Sequence, residues 1–207
     1  MRYSREASEF DRAFAFIDAT FAVALTLLVT TLDVDNVPEA FSSLSALSDA
    51  VGAQFFAFVV AFAVIAAYWL ANHRMVSNFV AIDTPTIVAH LFLIAAVVLL
   101  PFTTAWVGDP EAAELALPTA LMAVSLAAVS GFHTLVWVVA ARRGLLDHAP
   151  TSGERRETVI DGLTPVAVFL ASVPIAYLVS PDAGRLFWLS LLVLNPVVGA
   201  LTSRAQR

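Results

Sequence analysis

The sequence predicts an all-α polytopic membrane protein, one domain over residues 1–207 with six transmembrane helices. Three observations carry this. Hydrophobic residues make up 59% of the chain against 14% charged, with a mean hydropathy of +0.83, too apolar for the surface of a soluble domain. The apolar residues gather into six runs, near 13–32, 51–71, 85–107, 115–141, 159–179 and 185–202. Each is about long enough to cross a ~30 Å hydrocarbon core as a helix rising ~1.5 Å per residue. Finally, Leu, Val, Ala and Phe occupy every face of these runs with no alternation at a period of two, which argues for helices over an outer-membrane barrel.

The first run, AFAFIDATFAVALTLLVTTL, holds one charge, Asp18. An ionisable side chain inside a membrane helix costs about 2.5 kcal/mol or more, so it persists where it pairs with a neighbour or lines a wet path. The run is longer than a signal peptide's apolar core, has no small-residue cleavage site after it and comes after Glu6, Glu9 and Asp11, so it reads as a retained first span. The stretch Asp33–Ala50 mixes turn formers with Phe41, Leu44 and Leu47 at helical spacing and predicts a short interfacial helix. Pro101 is expected to tilt the far end of the third span. Pro118, Pro165, Pro174 and Pro196 lie in the later spans, where each removes a backbone hydrogen bond that neighbours must replace. Between the fourth and fifth runs, Gly144–Glu157 is the one long loop on its side, broken by Pro150, Ser152 and Gly153.

Basic residues set the orientation. Of the eleven, all Arg, only Arg185 falls between the fifth and sixth spans; the other ten share one side, which makes the plasma (inner) membrane the expected location and both termini cytoplasmic. The opposite loops carry Asp33, Asp35, Glu39, Asp49, Asp109, Glu111, Glu114 and Asp182. These are either ordinary soluble loops or a negative mouth that concentrates cations.

Zero Cys removes disulfides and thiolate chemistry. No nucleophile elbow, Walker loop or His-Glu-x-x-His pattern occurs, and no two His stand at ligand spacing, so neither an enzyme nor a metal or other cofactor is expected. A net charge of −6 with scattered Arg argues against nucleic acid.

Several segments in order carry a family signature. Arg12, Phe16 and Asp18 precede Phe21, Ala22, Thr26, Leu27, Leu28 and Val29; Trp69, Asn72, His73 and Arg74 end the second run; His90 is followed by Leu100, Pro101, Phe102 and Thr104; and LVWVVAARRGL closes the fourth. Together they resemble the transmembrane protein 175 family of potassium channels. Two positions depart from its pattern, Ile17 for a serine and His90 for an asparagine. The resemblance implies a homotetramer in the bilayer, the first span of each copy lining a central path for monovalent cations, potassium above all. Carried over, it places apolar rings at Val23, Leu27 and Thr30, a hydroxyl layer at Thr26, and a structural or gating network at Arg12, Phe16, Asp18, Trp69, His73 and His90.

A helical wheel agrees with that stripe. At ~100° per residue, positions 23, 27 and 30 fall within about 60° of one another, while residue 18 points about 140° from residue 23. Asp18 is then expected to turn toward the second and third spans, as a tether for Trp69, His73 or His90, as a gating or proton-sensitive switch, or as a direct ion ligand. His90 is the preferred partner, since an imidazole can donate from one nitrogen and accept at the other. His133 is expected to be a packing or interhelical hydrogen-bonding residue. The chain has no Thr-Val-Gly-Tyr-Gly filter and no charged ring on the stripe, so selectivity must arise at a narrow apolar constriction. The competing class is a proton- or cation-coupled secondary transporter, whose inverted repeat and broken helices are weak here. A third is an accessory subunit without flux of its own.

Overall fold

The computed structural model describes residues 1–32 and 41–204, with side chains as far as residue 201. Six segments are long and apolar enough to cross a membrane, Ser8–Thr31, Leu44–Ser77, Thr84–Gly108, Ala116–Arg142, Ser152–Leu178 and Pro181–Leu201. This is a multi-pass membrane protein.

The first span is helix α1, Ser8–Leu27, tightening into a 3-10 turn over Leu28–Thr31. It buries Phe10, Phe14, Ile17, Phe21, Ala24 and Leu28, a stripe at spacings of three and four that fixes which face meets the rest of the subunit. Helix α2, Leu44–Ser77, has 34 residues and runs about 51 Å, well beyond the hydrocarbon core. Of the residues expected to form a separate interfacial helix, those before Phe41 lie outside the described residues. Leu44 and Leu47 belong to the opening turn of α2, because Ser43 caps the helix by accepting from Ala46 N at 3.1 Å and the 34 residues beyond it contain no proline. Asp33, Asp35 and Glu39 lie outside the described residues.

The third span is two helices, α3 (Thr84–Val97) and α4 (Leu100–Gly108). They part at Val98 and Leu99, just before Pro101, which has no N–H to continue the ladder. Helix α5, Ala116–Arg142, packs along α6, Ser152–Leu178, and against α3. Gly162 allows α5 and α6 to touch: a Cβ there would collide with the Thr134 side chain. Helix α6 starts earlier than the apolar run, at a capping box in which Thr151 and Glu154 satisfy each other's backbone N–H groups. Pro165 and Pro174 remain inside it. The last span joins α7 (Pro181–Phe187), a 3-10 turn (Trp188–Ser190) and α8 (Leu191–Arg204).

The chain is not all helical. Strand β1, Arg2–Ser4, pairs antiparallel with β2, Ala81–Asp83, with Tyr3 opposite Ile82. Helix α5 ends nearby at Gly144, whose φ of 62° lets Leu145 N return to Ala140 O at 3.0 Å. The N-terminus, the α2–α3 connection and the end of α5 therefore meet on one side of the molecule, as the distribution of Arg requires. Arg2 donates to Gly144 O, and Arg5 Nη1 donates to Ser77 O at 2.6 Å and Phe79 O at 3.1 Å, the carbonyls left free where α2 ends. Asp83 anchors this side: its Oδ1 accepts from Thr86 N and Thr86 Oγ1 at the start of α3, and its Oδ2 pairs with Arg143 Nε. Burial pushes the Asp83 carboxyl up, but the bonds from Arg143 and Thr86 prevail and hold it below the usual carboxylate range.

Candidate functional site

Two faces of α1 differ completely. Ala24 and Leu28 are fully buried and Phe21 nearly so, whereas Val23, Leu27 and Val29 are 52%, 43% and 59% exposed. Thr26 and Thr30 lie on the exposed face as well. Each threonine hydroxyl donates to the carbonyl three residues back, Thr26 Oγ1 to Val23 O at 2.9 Å and Thr30 Oγ1 to Leu27 O at 2.7 Å. With their protons turned back to the backbone, the hydroxyl oxygens keep lone pairs for a partner that can only accept them, such as a cation. The 3-10 turn improves the alignment of the stripe. At 3.0 residues per turn, residues i and i+3 eclipse, so Thr30 stands closer to the direction of Leu27 than a continuous α-helix would place it.

Behind this face, Trp69 Nε1 on α2 donates to Asp18 Oδ1 at 3.0 Å. The Trp69 and His73 rings lie 5.6 Å apart, one turn from each other along α2. Asp18 and His73 are exposed in the single chain and Trp69 is 37% exposed, so this pair sits at the rim of the subunit and not in its core. Arg12 and Phe16 occupy the exposed face of α1 too.

The preferred partner for Asp18 proves to be the wrong one. His90 is fully buried on α3, its Nδ1 bonded to Thr86 O at 3.0 Å and its ring edge-on to Phe14 and Phe79. It packs against Phe14 on the buried side of α1, whereas Asp18 is exposed and takes its bond from Trp69. The buried Nε2 of His90 and Oδ1 of Asn72 have no hydrogen-bond partner among the described residues. Sequence reasoning also passed over Asp83 and Arg143, which pair at the start of α3, and Arg5, which ties the N-terminal segment to the end of α2. A signal was present: Asp83-Thr84-Pro85-Thr86 is a helix start, with a capping carboxylate followed by a proline in the first turn.

The sequence model of the family described as the endosomal/lysosomal potassium channel TMEM175 matches residues 12–101. A potassium channel from Streptomyces collinus is 31% identical over 159 residues, covering 74% of this chain and 75% of that protein. The chain belongs to the TMEM175 family. A potassium channel from Chamaesiphon minutus is 32% identical over 149 residues, covering 71% of this chain and 69% of its own length. The crystal structure of a lysosomal potassium-selective TMEM175 homolog from Chamaesiphon minutus superposes with a TM-score of 0.72 at 22% identity, over 95% of this chain and 99% of that one. The helical fold is thus the TMEM175 fold. The segment matched by the family model runs from α1 to the start of α4, and it contains both departures from the TMEM175 pattern. Ile17 is 3% exposed within the core, where an apolar side chain is at home, and His90 fills its site with ring packing.

Proposed function

We propose that this chain is one subunit of a potassium-preferring cation channel, four copies around an axis with α1 innermost. The observation that carries the reading is the unpacked face of α1. The helix satisfies its whole opposite face within one subunit, yet leaves Val23, Thr26, Leu27 and Thr30 uncovered. Symmetry-related copies of the same helix supply the missing surface. Leu27, the bulkiest member, forms the narrowest ring; Val23 makes a slimmer one, and Thr26 and Thr30 offer hydroxyl oxygens in place of part of an ion's water. A constriction of this kind prefers potassium over sodium through easier dehydration of the larger ion, and closes by dewetting when α1 rotates by a small angle. The protein sits in the plasma membrane with both termini in the cytoplasm.

Asp18 acts behind this path. Its bond to Trp69 ties α1 to α2 at the rim where the next copy would pack, so it sets the rotation of the pore face.

Flux from liposomes under a potassium gradient, read with a pH dye and with valinomycin as the control, tests the reading. Conductive potassium flux is expected; obligatory exchange with protons would establish the coupled transporter instead. Cysteine at Leu27, in a chain with no native Cys, should join copies pairwise into disulfide-linked dimers, since each copy supplies one thiol, while light scattering of the solubilised protein should give the mass of four chains. Absence of the disulfide, or a native mass of one or two chains, would reject the assembly.

A further inference from the structure

A second polar site lies away from α1. A cavity of about 310 Å³ opens between α2, α5 and α6, lined by Met75, His133, Thr134, Trp137, Thr158 and the exposed Asp161. It lies about two helical turns, roughly 12 Å, in from Arg142 at the end of α5, on the side of the molecule that carries the N-terminal strand. Asp161 has no ion pair or hydrogen bond among the described residues. An unpaired carboxylate on a membrane-spanning helix marks a site with a function. The His133 ring lies near the Ala71 carbonyl, and its buried Nε2 has no hydrogen-bond partner among the described residues. Glu157, one turn toward the start of α6, adds a second negative charge to the same helix face. Gly162 lets α5 and α6 approach closely beside the cavity.

We propose that this cavity binds a small organic ammonium ion, entering from the side that bears both termini. Each wall serves that chemistry. The Asp161 carboxylate supplies the counter-charge, the indole of Trp137 offers its face to a cation and Met75 packs against alkyl groups. The hydroxyls of Thr134 and Thr158 offer acceptors for the ammonium N–H groups. A bare potassium ion fits poorly, because an indole and a thioether cannot replace the oxygen shell that a hard cation requires. The same ammonium chemistry is available from a soluble amine or from an ethanolamine lipid headgroup. The site stands apart from the α1 stripe and does not depend on conduction.

The test uses the full chain in phosphatidylglycerol nanodiscs, titrated with ethylammonium chloride and followed by tryptophan emission and calorimetry, with potassium chloride at equal ionic strength as control. Saturable binding is expected, weakened at least tenfold by Asp161→Asn and about threefold by Thr158→Val. Trp137→Phe should remove most of the emission change, and Glu114→Gln, on an exposed loop elsewhere, should leave both signals unchanged. Nanodiscs that include phosphatidylethanolamine separate the two sources: a curve shifted to higher ethylammonium means the lipid amine already occupies the cavity, and a coincident curve assigns it to the soluble ion. Absence of saturation in both lipid compositions, an equal response to potassium, or unchanged affinity in a folded Asp161→Asn protein would each overturn the proposal.

Discussion

Leu27 and Leu28 are neighbours of the same residue type in different worlds. Leu28 is 0% exposed, locked among side chains of its own subunit, and Leu27 is 43% exposed on a face that nothing in the subunit covers. A helix turns ~100° per residue, which is enough to carry one leucine into the core and leave its neighbour out. The contrast teaches that α1 has two separable duties. One face stores folding energy; the other is reserved for something outside the single chain. Leu28→Ala should destabilise the subunit by about 3 kcal/mol, by lost burial and a residual cavity, while leaving ion preference unaltered in whatever protein folds. Leu27→Ala should change subunit stability by under about 1 kcal/mol, yet widen and wet the constriction, raising conductance and lowering the preference for potassium over sodium. Thermal unfolding and ion-replacement flux on the two variants decide it. Shifted ion preference with the Leu28 change alone would mean that the pore face is misassigned, and no shift with either would remove α1 from the pore.

The start of α3 extends the comparison, because there the folding duty passes from apolar packing to polar anchoring. Asp83→Ala removes a helix cap and the partner of Arg143 together. Arg143 is half exposed and can turn to water, so the expected cost is about 2 kcal/mol, less than for Leu28. Asp83→Asn keeps a capping oxygen and should cost less. The pH dependence has a definite sign. A carboxyl whose folded pKa is depressed gives stability that is present above its ordinary value of about 3.9 and is lost as pH falls through the lower folded value. Acidification below about pH 4 should therefore lower the melting temperature of the parent protein more steeply than that of Asp83→Asn; parallel curves would show that the pair contributes no linkage.

How much of the molecule is legible in the sequence depends on how local each signal is. The six spans are legible because each is written in about twenty consecutive residues, and the packed stripe of α1 because it repeats every three or four. Strand β1 is not legible: Arg2-Tyr3-Ser4 is three residues long, and what makes it a strand is its partner Ala81–Asp83, far along the chain. The Asp83–Arg143 pair is hidden for the same reason. The early start of α6 is written in the sequence, since Thr151 and Glu154 stand at capping-box spacing, but a search for apolar runs begins only where the charges end. His90 misleads because chemistry alone makes imidazole a good partner for a carboxylate. Which side of α1 it approaches is a property of packing, and that cannot be read from the type of residue.

Asp18 gives the smallest effect and the sharpest distinction. It belongs to neither face of α1: its carboxylate is exposed within the subunit and holds one bond, from the Trp69 indole at 3.0 Å. One hydrogen bond at an accessible position contributes about 1 kcal/mol, so Asp18→Ala should lower subunit stability by no more than that. If the bond sets the rotation of α1, the alanine variant should instead show altered conductance and a weaker tetramer by light scattering. Asp18→Asn keeps an acceptor for the indole and should behave like the parent in both respects. Trp69→Phe removes the donor from the other side and should reproduce the alanine result, with no further loss in the double variant, since one bond cannot be broken twice. Loss of flux in Asp18→Asn with the tetramer intact would mean that the charge itself matters. Asp18 would then belong with Leu27 on the working face and not between the two.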